Sequence, residues 1–257
     1  LTSTNSSIGL IYALKKIFKN KMKNMIFYAL ITARAGSKGI RHKNLQKINK
    51  KSLVEISIKK IKKSRKIKKI FCSSDSNKIL NICKKNKVET IKRPKNISGD
   101  KAKSFDVVFH FLNKIKEKKI VIPDVIFLIQ PTSPFFDSNI INEIVAKYKK
   151  TPRANTINSF VKLHHKYSHI NHCEINKKGM VNYLFYNKRK KNTLRQNKKT
   201  YYVHGNIFSF KTKAILKDKS LMPKPIYSVL LKNRYQAIDI DDQEDLKMSR
   251  MLINSKI

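Results

Sequence analysis

The sequence predicts an α/β fold with a mainly parallel sheet, and three observations carry that expectation. Short apolar runs alternate with amphipathic stretches, several of those runs end in polar residues suited to chemistry, and no repeat or low-complexity linker interrupts the order. Ile26–Ala33 is continuously apolar and reads as a strand buried on both faces. Ser52–Ser64 is a helix with Val54, Ile58 and Ile61 on one side, and the lysine pairs Lys59-Lys60 and Lys62-Lys63 are expected on its wet face. Strands Lys69–Ser74 and Lys87–Ile91 flank a helix over Ser76–Asn86. Helix Ser104–Glu117 leads to strand Asp124–Ile129, and helix Asp137–Tyr148 leads to strand Ala154–Phe160. From His164 to about His204 the rhythm breaks into polar, basic and aromatic residues with a turn at Gly179. Strands Ile207–Phe210 and Ala237–Ile240 and a helix over Gln243–Leu252 complete the chain.

Directly after the first strand comes Arg34-Ala35-Gly36-Ser37-Lys38-Gly39-Ile40-Arg41-His42-Lys43-Asn44. Two glycines let the backbone turn tightly so that N–H groups converge on an anion, and basic side chains add charge at the same place. That is the outline of a nucleoside-triphosphate cradle. It is not a Walker A loop, because no Gly-Lys-Ser/Thr closes it. Taken alone, the segment also suits a basic glycine turn on the surface.

The pattern R-x-x-S-K-G-x-x-x-K-N resembles the opening of the acylneuraminate cytidylyltransferases, and three further blocks follow in that family's order. They are Arg93-Pro94 through Asp100, Ala102 and Ser104; Leu128-Ile129-Gln130-Pro131-Thr132-Ser133-Pro134; and Asp239-Ile240-Asp241 through Asp245-Leu246. Ser73-Ser74-Asp75 is similar to the family's S-T-D, although it suits a helix N-cap equally well. The resemblance implies a Rossmann-like three-layer sandwich of the nucleotide-diphospho-sugar transferase type, with a small dimerisation extension over 164–204. The domain would run from 25 to 257, after an extension over 1–24. The implied reaction joins CTP to an acidic nine-carbon sugar, giving CMP-sugar and pyrophosphate, and the implied assembly is a homodimer.

Residue roles follow by the same resemblance. Arg34, Ser37, Lys38 and Lys43 would serve the phosphates, with Gly36 in the cradle and Asn44, Arg93 and Ser104 on the nucleotide. Gln130 would contact the sugar. Asp239 and Asp241 alternate along an expected strand, so both carboxylates face one way, and hard oxygens suit Mg²⁺. Catalysis would rest on Arg34, Lys38, Lys43 and Asp241. Structural alternatives stand beside these roles. Arg93 also suits a surface cation, Ser104 an N-cap, Asp239 a turn cap and Asp242 a helix cap, while Thr132 and Ser133 suit a rigid turn.

The chain departs from the family pattern where the sugar is expected. Phe136 stands where an arginine is usual, Tyr202 replaces another, and the Asn-Gly-Ala turn is His204-Gly205-Asn206. Sialic, legionaminic and pseudaminic acids all stay open as substrates. A CMP-Kdo synthetase is disfavoured, because Lys43-Asn44 follows the sialate pattern.

Composition bounds these readings. The formal charge of +42 would ordinarily point to nucleic acid or an anionic membrane. Of 58 basic residues, however, 49 are lysine, spread through nearly every segment without a stripe, beside abundant Asn and Ile. A+T-rich codons account for that mixture, and no specific nucleic-acid partner is expected. Three cysteines without metal-ligand spacing point to a reduced cytoplasm. Ile8–Leu14 is too short to span a bilayer and lacks the flanks of a signal peptide, although Ile8, Ile11, Tyr12, Lys15 and Phe18 would align on a basic surface helix. The alternatives to the enzyme are a catalytically silent sugar-nucleotide-binding relative and a basic nucleic-acid-binding protein.

Overall fold

The computed structural model describes residues 24–191 and 200–254. The stretch considered for a surface helix lies outside them. Chain order runs β1 (Phe27–Thr32), β2 (Lys47–Ile48), β3 (Lys51–Ser52), α1 (Leu53–Lys62), β4 (Lys69–Ser74), α2 (Asn77–Lys85), β5 (Glu89–Lys92), α3 (Ser104–Glu117), β6 (Val125–Ile129), α4 (Asn139–Lys150) and β7 (Thr156–Lys162). It continues with β8 (Cys173–Ile175), β9 (Val181–Tyr183), α5 (Tyr186–Lys191), β10 (Tyr202–His204), β11 (Ile207–Lys211), α6 (Thr212–Asp218), β12 (Ile226–Leu230) and α7 (Gln243–Asn254).

The main sheet is mixed and mostly parallel. β1 lies at its centre, with β4 and then β5 on one side and β6 on the other, all parallel. β11 joins β6 to β7 as an antiparallel insert, and β12 pairs in parallel on β7. β10 runs along the same antiparallel path as β11, with its pairing to β7 offset by two residues across Gly205-Asn206. Alternate residues of the strands feed two cores. Ala29, Ile31, Phe127 and Ile129 pack with α1, α2 and α4 on one face. Tyr28, Leu30, Ile126 and Leu128 pack with α3 and α6 on the other. Burial on both faces is why β1 and β6 read as unbroken apolar runs. The expected sandwich of helix, sheet and helix is therefore present.

Local signals set the helix starts. Ser52 and Glu55 form a reciprocal capping box on α1, each satisfying the other's backbone N–H. Ser76 caps α2 by accepting from the Ile79 N–H, which leaves Asp75 free of that duty.

Four expectations need correction. Ala237–Ile240 is not a strand: a 3₁₀ turn over Arg234–Ala237 gives way to an extended segment tied to the Thr132 carbonyl by the Ile240 N–H at 2.8 Å. Its alternating apolar pattern arises because Ile240 plugs a small cluster with Ile40, Ile48, Leu53 and Leu246. Phe136 does not face a sugar site but is buried in the α1–α4 core. Lys60 is not on a wet face: its ammonium donates to the Phe136 carbonyl at 2.7 Å and lies 5.2 Å from the Phe136 ring centroid. Burial lowers its pKa to about 8. Finally, the two loop glycines do not turn through the left-handed region; His42, with φ of 53°, makes that turn.

Between β7 and β10 the chain leaves the sheet for an arm of two 3₁₀ turns, the β8–β9 hairpin and α5. His169 meets Phe185 and Tyr201 edge-on, and Arg189 stacks over Tyr183. Tyr167, Tyr186 and Tyr202 stay exposed. No helix among the described residues is long and apolar enough to cross a membrane.

Candidate active site

A cavity of about 310 Å³ opens at the carboxyl ends of β1 and β6, and among its lining residues are Arg34, Gly36, Ser37, Lys43, Asn44, Arg93, Ser104, Gln130, Asp239 and Asp241. Four blocks spread along more than two hundred residues thus converge on one space. Ligands of open α/β sheets gather at such strand ends because the loops there diverge. Of the residues expected at the site, Lys38 alone is not part of the wall; its ammonium sits beside it, 3.3 Å from Asp100.

The loop after β1 is held from below. The Ala35 N–H donates to Asp75 Oδ1 at 2.7 Å, so Asp75 braces the loop and does not cap α2. Asn44 is buried and its Nδ2 donates to the Arg34 carbonyl at 2.9 Å, fixing both ends of the loop on each other. Its Oδ1 is buried with no hydrogen-bond partner among the described residues. Among those residues the backbone N–H groups of Gly36, Ser37, Lys38 and Gly39 donate no hydrogen bond either. Unspent donors beside fixed cations are what an anion site requires. The glycines act through space: a Cβ on Gly39 would fall 2.2 Å from the Asp241 carbonyl oxygen, whereas one on Gly36 would meet nothing within 4 Å.

Arg93 is buried, which corrects its reading as a surface cation. Its Nε donates to Ser73 Oγ at 3.1 Å and its NH2 to the Ser73 carbonyl at 2.7 Å, tying the end of β4 to the cavity wall. Burial lowers its pKa, and the Asp75 carboxylate opposes that shift. Ser104 is the first residue of α3 and not its cap, which is Lys103. The α3 N-terminus therefore opens on the cavity with its positive dipole end.

The acidic side comes from the segment after β12. Asp239 Oδ1 accepts from Ser133 Oγ at 3.0 Å, so Ser133 is a buttress as well as a turn residue. Asp241 Oδ1 pairs with Lys43 Nζ at 2.8 Å. Asp242 caps α7 through the Asp245 N–H, as expected. Although they do not alternate on a strand, Asp239 and Asp241 both line the cavity. Their hard oxygens suit a divalent cation held by one or two carboxylates plus phosphates and water. No group of three or more His, Cys, Asp or Glu among the described residues forms a metal cage. The donor set fits Mg²⁺ of the kind that arrives with a nucleotide.

Sequence reasoning did not single out Asp100, whose carboxylate meets Arg34 NH1 at 2.7 Å. Its place in the Arg93–Ser104 block was the available signal. Beyond Gln130, on the same sheet face, the His204 ring lies between Phe160 and Phe208, with centroids 4.7 and 5.7 Å away.

The family model for cytidylyltransferases matches residues 28–256. The chain is 26% identical over 230 residues to an N-acylneuraminate cytidylyltransferase of Escherichia coli, covering 86% of this chain and 50% of that protein's length. It is 28% identical over 232 residues to a pseudaminic acid cytidylyltransferase of Campylobacter jejuni, covering 90% of this chain and 96% of that protein. A similar solved structure, a CMP:2-keto-3-deoxy-manno-octonic acid synthetase complexed with CTP, superposes with a TM-score of 0.67 at 13% identity, over 90% of this chain and all of the other. Together with the convergence of the four sequence blocks on one cavity, the match over residues 28–256 places this chain in the cytidylyltransferase family.

Proposed function

We propose that the protein activates an acidic nine-carbon sugar with CTP, releasing pyrophosphate. The observation that carries this reading is the cavity itself, where cations, unspent amides and a helix N-terminus stand with the Asp239 and Asp241 carboxylates. The family supports cytidylyl transfer, and relatives named for N-acylneuraminate, pseudaminic acid and N,N'-diacetyllegionaminic acid support the sugar class.

In the reaction the sugar's anomeric hydroxyl gives up its proton to water as its oxygen bonds the α-phosphorus, and the bond to the β-phosphate oxygen breaks with its electron pair leaving on pyrophosphate. Negative charge grows on the leaving group, so fixed donors aimed there lower the barrier without any proton transfer to the phosphates. Arg34, Lys38 and Lys43 supply cations, and Gly36 to Gly39 supply amides. Ser37, Asn44, Arg93 and Ser104 frame the nucleotide, and the unpartnered Asn44 Oδ1 is an acceptor available to it. Mg²⁺ held by Asp239 and Asp241 would neutralise phosphate charge and align the triphosphate. Gln130, in the cavity wall at the end of β6, orients the sugar.

The arm between β7 and β10 is proposed as a dimerisation extension. Its exposed Tyr167, Tyr186, Met180 and Ile175 are suited to an interface core. The deciding experiment is pyrophosphate release from each of the four nucleoside triphosphates against a panel of nonulosonic acids with Mg²⁺. Turnover confined to CTP and one of these acids is expected; no turnover with any pair would refute the proposal.

A further inference from the structure

We propose that Asp100 is a positioning residue that fills the phosphate cradle while no nucleotide is present, so that an arriving triphosphate must displace its carboxylate. This rests on reading the cavity as a triphosphate site.

One anion spans two cations. Asp100 Oδ1 lies 2.7 Å from Arg34 NH1, and its Oδ2 lies 3.3 Å from Lys38 Nζ. That is the bridging a phosphate group would make with two of its oxygens, and Asp100 is itself in the cavity wall. The hydrogen bond from Arg34, then that from Lys38, lowers the pKa of its carboxyl, so it stays ionised and keeps hold of both cations.

The hold is built to be broken. Asp100 is 46% exposed and Lys38 is 82% exposed, and ion pairs this open to water are worth a factor of about two to five each in an equilibrium constant. Next to Asp100 there is open space, where a Cβ on Gly99 would meet nothing within 4 Å. The carboxylate can rotate into water as phosphate oxygens take its place. In a chain of formal charge +42, such an internal anion also raises the threshold for stray polyanions at the one place where they would block turnover.

The test is calorimetric titration of inorganic tripolyphosphate, free of metal, into the full-length protein and its Asp100→Asn, Asp100→Ser, Asp100→Glu and Arg34→Ala variants. Removing the competing charge is expected to tighten binding about three- to tenfold in the Asn and Ser variants, with Glu returning to the wild-type value. Equal or weaker binding by both the Asn and Ser proteins, each folded by circular dichroism, overturns the role of Asp100 while leaving the cradle standing. Binding that Arg34→Ala does not weaken overturns the triphosphate reading itself.

Discussion

Lys43 and Asp241 stand 198 positions apart in the chain, yet their charged groups meet at 2.8 Å across the mouth of the cavity. The pair joins the loop after β1 to the segment before α7, and the close approach of Gly39 to the Asp241 carbonyl makes the same junction through the backbone. Lys43 is largely enclosed while the Asp241 side chain is 75% exposed. Of the two, the carboxylate is thus the side chain with room to turn, and in the proposed reaction it is the one that would turn toward a metal.

Replacing Asp241 with Asn keeps its size and removes its charge. Steady-state kinetics should show kcat lowered by at least ~100-fold, the scale of losing one transition-state charge stabiliser. Unchanged kcat with unchanged Mg²⁺ dependence would rule out the metal role.

The two loop glycines should respond differently to the same methyl group. Gly39→Ala drives a Cβ against backbone and should cost about 1–3 kcal/mol in urea unfolding. Gly36→Ala has open space and should stay within about 0.5 kcal/mol of wild type, yet weaken CTP because the methyl enters the cavity wall. Equal stabilities for the two variants would contradict the packing seen at Gly39.

Lys38→Ala should weaken CTP and CDP markedly and cytidine hardly at all, since its ammonium lies beside Asp100 on the loop proposed to hold the phosphates. Titration of the three ligands checks this. Equal loss for all three would show that the loop does not recognise phosphate.

Lys60 makes stability depend on alkaline pH. Burial depresses its folded-state pKa to about 8 from 10.5, so between those values the unfolded chain binds more protons than the folded one. The cost of burying the charge is full below about pH 8 and fades as pH rises toward 10.5, so this residue's contribution to stability rises across that window. Compared with Lys60→Met in urea unfolding at pH 7.5 and pH 10, wild type should gain on the order of 1–3 kcal/mol. A constant difference between the proteins would show that the amine is not desolvated.

Deleting Lys166–Lys199 should convert a dimer into a soluble monomer with impaired catalysis. Light scattering and pyrophosphate release test the two parts together. An intact protein that is monomeric across micromolar concentrations and fully active would remove the arm from both assembly and the site.

Much was legible before any coordinates, and for local reasons. β1 and β6 are runs of apolar residues whose burial on both faces needs no distant information to read, and α1 shows its buried stripe of Val54, Ile58 and Ile61 by spacing alone. The loop from Arg34 to Asn44 is likewise contiguous, so the cations and the glycine it brings to the cavity were legible, although the same composition also suited a surface glycine turn. Pairings across sequence were not legible. Ile238 and Ile240 alternate as a strand would, but no neighbouring strand is there to receive them, and Ile240 fills a separate cluster instead. Phe136 and Lys60 look like a site residue and a wet lysine until α1 packs beside the turn before α4 and buries both. β12 is a half-exposed run whose place beside β7 depends on where the chain returns after α6. The sequence by itself determined the element types and the chemistry available, because periodicity and charge are properties of neighbouring residues. Only tertiary structure decided that Asp75 braces Ala35, that Asp100 bridges Arg34 and Lys38, and that Lys43 meets Asp241. Each of those contacts joins loops at the ends of different strands, and the order of strands in the sheet, not their order in the chain, sets which charges come within 3.5 Å.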